Sequence, residues 1–136
     1  MAYRKILVGL EDTSAARKAL TEGTRLALAL GARLHVVIVQ KRPHQEEWTE
    51  VECTPSERTT RLLKEAVEIG QKRGTAVEGQ ILFGDAVPIF DDFIKKNGIE
   101  VLIIGRPRHS ALAGRILGRA ADALIRTVAC PVLVVN

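Results

Sequence analysis

Residues 5–39 read KILVGLEDTSAARKALTEGTRLALALGARLHVVIV, and this stretch decides the architecture. Lys5 to Leu10 is a continuous apolar run with β-branched members, bounded by charge, as expected of a strand buried on both faces. Asp12 and Thr13 offer side-chain oxygens for an N-cap. Ala16, Leu20, Gly23, Ala27 and Leu30 then recur at three- and four-residue steps, and Gly31 is placed to end the resulting amphipathic helix. Leu34 to Val39 is a second apolar run. Strand, helix, strand in this order fits a parallel pair joined by a right-handed crossover.

The same alternation continues outward. Gln40 to Cys53 carries Pro43, His44 and Trp48, shows no sustained period and reads as a loop. Thr54, Pro55, Ser56 and Glu57 read as a capping box with Pro at N1, opening a helix whose stripe of Leu62, Ala66 and Ile69 runs on to Gly74. Val77 to Phe83 is a third strand. Gly84 and Asp85 open a shorter helix, with Asp85 as its cap, Pro88 in its first turn, Phe90 and Phe93 on its buried side and Gly98 at its end. Glu100 to Gly105 is the most apolar strand and is expected to be central. Ala111 to Val128 holds the last helix and Pro131 to Val135 the last strand.

The predicted fold class is therefore α/β: one domain over residues 1–136, a doubly wound five-stranded parallel sheet with helices on both faces. Such a sheet takes ligands at the carboxyl ends of its strands, where strand order reverses. If the first and fourth strands are neighbours there, Gly9, Leu10 and Glu11 form one wall and Ile104 and Gly105 the other.

Composition narrows the function classes. A length of 136 residues is that of one domain, and 46% hydrophobic with 26% charged residues exclude disordered and fibrous chains. The formal charge of +4 leaves room for an anionic ligand without demanding nucleic acid. No apolar run approaches the ~20 residues of a membrane span. The amino-terminal stretch reaches Glu11 and Asp12 too soon for a signal peptide, so a cytoplasmic location is expected. Cys53 and Cys130 have no metal-ligand spacing and read as reduced thiols.

Candidate chemistry concentrates after the fourth strand, where Gly105, Gly114 and Gly118 share a segment with Arg106, Arg108, Arg115 and Arg119. Glycines beside a helix N-terminus let backbone amides approach a phosphate, and arginine forks suit its oxygens. Equally, Gly105 could merely end a strand, Gly114 and Gly118 ease packing, and the arginines form a solvated face. Arg106, Arg108 and Arg119 are the ones that fold logic places near the switch point. Signatures of dedicated enzymes are missing: no GxxxxGK[ST], GxSxG, HExxH or GxGxxG occurs. His35 lies inside an apolar strand and reads as a satisfied buried histidine rather than a general base. His109 beside Ser110 has no carboxylate placed to orient it.

The whole pattern, from KILVGLEDTSAARKAL through FGDAVPIF to EVLIIG and ACPVLVV, resembles the universal stress protein family. Nucleotide-binding members carry Gly-x2-Gly-x9-Gly-Ser/Thr after the fourth strand. In that register stand Gly105, Arg108, Gly118 and Arg119, so Arg108 replaces a glycine and Arg119 the hydroxyl residue. The resemblance implies that Glu11 takes the place of an aspartate that recognises the adenosine part. It further implies that Val39 packs the adenine and that Ile104 and Gly105 lie beside the base; Gly9, Leu10 and Ala120 complete the expected nucleotide-binding set.

The function implied by the resemblance is that of a small cytoplasmic stress-response protein that binds an adenine nucleotide, ATP or AMP, with Mg2+ as an optional companion, and is no dedicated enzyme. The alternative is a nucleotide-free, dimeric partner-binding module with a vestigial site, motivated by Arg108 and Arg119. Slow hydrolysis with Glu11 positioning a metal or water lacks a placed general base and nucleophile. Strand 131–135 is apolar and runs to Asn136, so its outer edge is expected to pair with a second copy in a homodimer, as the family resemblance also implies.

Overall fold

The structure is a computed structural model that describes residues 3–11, 15–41, 54–106 and 119–136. Its elements run β1 (Lys5–Glu11), α1 (Ala16–Leu30), β2 (Arg33–Gln40), α2 (Glu57–Lys72), β3 (Val77–Phe83), α3 (Ala86–Asn97), β4 (Val101–Gly105), α4 (Arg119–Thr127) and β5 (Val132–Val135). The sheet order is β3-β2-β1-β4-β5, with every neighbouring pair parallel. The chain thus winds outward from β1 to β3, then returns to the other side of β1 as β4, which makes the β1/β4 boundary the switch point. β1, rather than β4, holds the middle of the sheet, although β4 is interior and its first four residues are buried.

Two apolar layers explain why the strands read as unbroken runs. Ile6, Val8 and Leu10 pack with α1 and α2 on one face, and Leu7, Val37, Leu102 and Ile104 pack with α3 and α4 on the other. Ile6, Leu7 and Val8 are fully buried, and each such side chain stabilises the fold by about 1.5–3 kcal/mol relative to exposure. At the amino ends of the strands, Glu100 Oε1 accepts the backbone N–H of Arg4 at 2.9 Å and of Lys5 at 3.2 Å. The Lys5 ammonium donates to the carbonyl of Asn97 at 3.1 Å, closing the carboxyl end of α3.

Several helix boundaries differ from the sequence expectation. Ser56 is the N-cap of α2: its Oγ accepts the Thr59 N–H at 3.1 Å and donates to Thr59 Oγ1 at 2.8 Å. Pro55 therefore precedes the cap instead of occupying N1. Ala15 holds the N-cap position of α1 and supplies no side-chain bond, while Asp12 and Thr13 lie outside the described residues. Gly31 and Gly98 end α1 and α3 in the left-handed region, as the pattern predicts. Residues 111–118 of the expected last helix and 42–53 of the expected loop fall outside the described residues, and β5 begins at Val132 rather than Pro131.

Candidate functional site

At the carboxyl ends of the strands the switch point opens into a cleft of about 730 Å³, within the range of small-molecule sites. β1 supplies Gly9, Leu10 and Glu11; Val39, Gln40 and Lys41 come from the end of β2. Ile104 and Gly105 form the β4 side, with Ala120, Ala121 and Leu124 of α4 beyond them. Gly84 to Val87 and Phe90 close the cleft from the start of α3.

The register sets these positions. Glu11 pairs with Val39 and Gly9 with both Val37 and Ile104, so an acid and two branched apolar side chains converge on one rim. β1 runs one residue further than its apolar run because this pairing carries the ladder through Glu11. Seven residues expected from sequence, Gly9, Leu10, Glu11, Val39, Ile104, Gly105 and Ala120, line the one cleft. Arg108 and Gly118 lie outside the described residues, and Arg119 is described only as the first residue of α4.

Other lining side chains carry no local sequence signal for the site. Lys41 is the one cation among the described lining residues, against the carboxylates of Glu11 and Asp85. Gln40 is a junction: its carbonyl accepts the Gly84 N–H and its Oε1 accepts the Ser56 N–H, both at 3.0 Å. Asp85 occupies the N-cap position of α3 with extended backbone, yet its carboxylate makes no capping bond. Pro88 stands at N3, where an N-cap side chain commonly finds its donor, and has no N–H to offer. The expected cap is therefore a carboxylate left to the cleft wall.

Gly105 has a direct packing reason to be glycine. A Cβ there would lie 2.7 Å from the Ala15 carbonyl oxygen and 2.8 Å from the Ala15 Cβ, because the approach to α1 crosses the end of β4. Arg106 leaves the cleft: its guanidinium donates to Asn136 Oδ1 at 3.1 Å and its N–H to the Val135 carbonyl at 2.8 Å.

His35 sits lower on the same sheet face, 6% exposed, edge-on to Phe93 with ring centroids 5.7 Å apart. Its Nδ1 is 3.5 Å from Glu78 Oε2 but makes no hydrogen bond, so the buried histidine is less satisfied than expected. Burial pushes its pKa below the ordinary imidazole value, opposed by Glu78. Burial likewise pushes the Cys130 thiol up. Among the described residues no cluster of three or more metal-ligating side chains occurs, and no helix is long and apolar enough to cross a membrane.

A family model described as universal stress protein family matches residues 2–136. A universal stress protein of Methanocaldococcus jannaschii is 21% identical over 98% of this chain and 82% of its own length. One from Mycobacterium tuberculosis is 33% identical over 76 residues, 56% of this chain, which spans only 24% of that longer protein. Among solved structures, a universal stress protein in complex with cAMP superposes with a TM-score of 0.77 at 20% identity, covering 100% of this chain and 98% of that one. The Archaeoglobus fulgidus protein in complex with dAMP gives 0.70 at 23% identity, covering 100% of each chain. At these identities the likeness establishes the fold alone.

Proposed function

The chain belongs to the universal stress protein family, and from that premise we propose that it binds an adenine nucleotide, ATP or AMP, in the β1/β4 cleft as a cytoplasmic stress-response regulator rather than a dedicated enzyme. The observation that carries the reading is the Glu11/Val39 pair facing Ile104 across one cleft at the switch point. Val39 and Ile104 offer apolar surface to the flat base, and the Glu11 carboxylate accepts from the amine or the sugar hydroxyls. Gly105 borders the base with backbone, and the phosphate side falls to the motif positions Arg108, Gly118 and Arg119, whose arginines have the chemistry to substitute charge-assisted bonds for the contacts of a glycine and a hydroxyl, with Ala120 beside them in sequence. The cAMP and dAMP complexes of proteins with this fold support that assignment. Titration calorimetry with ATP, AMP and cAMP, with and without Mg2+, tests it. Neither heat nor thermal shift at millimolar ligand defeats it.

A second reading, a nucleotide-free dimeric module, draws on Arg108 and Arg119 in the motif and on β5, an edge strand whose Leu133 is 43% exposed. Arg108→Gly with Arg119→Ser separates the two. ATP binding gained only by the double variant favours the vestigial site; binding by the parent excludes it.

A further inference from the structure

Across β2, β1 and β4 the residues Val37, Gly9 and Ile104 stand side by side, and Gly9 is the one place in that row without a side chain. Phe90 of α3 fills the gap from above. A Cβ built on Gly9 would lie 3.0 Å from Phe90 Cζ, 3.1 Å from Cε1 and 3.3 Å from Cε2, so the tip of the ring rests on the strand backbone. The ring is 1% exposed, and both Phe90 and Gly9 line the cleft. The three atoms nearest that added Cβ all belong to the ring, so at this point of the row the ring itself is the floor. A smaller side chain at residue 90 uncovers a hole that Gly9 cannot fill.

We propose that the Gly9–Phe90 pair determines specificity by setting the depth of the apolar slot, and so limits how large a base the cleft accepts. This rests on the adenine nucleotide reading. It predicts a hole-for-bump relation: AMP fits the parent slot, a base enlarged on the edge facing Phe90 does not, and trimming Phe90 admits it. One methylene in an apolar pocket discriminates by about tenfold or more.

The test measures affinity of the parent, Phe90→Leu and Gly9→Ala for AMP and for its N6-benzyl, C2-phenyl and C8-phenyl derivatives, which enlarge the base on three edges. In Phe90→Leu the preference for AMP over at least one derivative should fall by about tenfold. In Gly9→Ala the ring must give by a few tenths of an ångström, and AMP affinity should fall without any gain for the derivatives. Gly9→Ala keeps the aromatic core and provides the answer if Phe90→Leu melts. Parent binding to AMP with preferences unchanged in the folded variants overturns this inference alone. No AMP binding by parent or variants overturns the nucleotide reading together with it.

Discussion

Pro88 stands three residues after Asp85, at one of the two positions whose N–H an N-cap carboxylate can use, and the Asp85 side chain makes no capping bond. Ser56 at the start of α2 is the contrasting case, with its Oγ held by the Thr59 N–H. Asp85→Ala should change the unfolding free energy by no more than about 0.5 kcal/mol, whereas Ser56→Ala should destabilise by about 1 kcal/mol. Urea unfolding of both variants checks this, and equal losses would show that Asp85 does cap.

Gly105→Ala should be poorly tolerated even without ligand. The new methyl meets the backbone oxygen of Ala15, which cannot rotate away as a side chain could. A loss of about 1–3 kcal/mol is expected, the usual range for overpacking, read as a lowered urea midpoint at constant m-value.

His35 gives a pH dependence whose sign is fixed. Burial holds its folded-state pKa below the ordinary 6.5, with Glu78 of β3 raising it and Arg33 of β2 and Lys5 of β1 lowering it further. The unfolded chain therefore takes up the proton first as pH falls. Stability owed to neutral His35 is complete above the unfolded-state value and is lost below it. Between pH 8 and pH 5 the melting temperature of the parent should drop more than that of His35→Leu; parallel curves would contradict the assignment.

For assembly, the informative position is Leu133. Val132 and Val134 pack inward against the α3/α4 layer, so lysine there would injure the fold itself, whereas Leu133 is 43% exposed on the edge strand. Leu133→Lys should shift the mass seen by light scattering from dimer to monomer without altering the melting profile of the isolated subunit. A monomeric parent at near-millimolar concentration would remove the dimer from consideration.

Legibility in the sequence tracks the range of the forces involved. β1, β2 and β4 are readable because burial on both faces writes itself as consecutive apolar residues, and Gly31 and Gly98 because a left-handed terminus is a local demand. The order of strands brings Glu11, Val39 and Ile104 to one rim, which fold rules anticipate. Contacts between residues far apart in the chain are not legible: Gly105 against Ala15, and Phe90 in the gap above Gly9. Asp85 misleads because its residue type and place suit a cap, while Pro88 takes away the N3 donor and the side chain makes no capping bond. Lys41 carries no local pattern at all.

The Glu100 carboxylate that holds the N–H groups of Arg4 and Lys5 sits at the end of the sheet opposite the cleft. Together with the Lys5 bond to Asn97 it fastens β1, β4 and α3 at the end away from the cleft. Transient separation of β1 from β4 should therefore be lopsided, like a fan pinned at its handle, starting at their carboxyl ends. Amide exchange should report a gradient along β1, with Lys5 to Leu7 protected longest, and an occupied cleft should flatten that gradient from the free end.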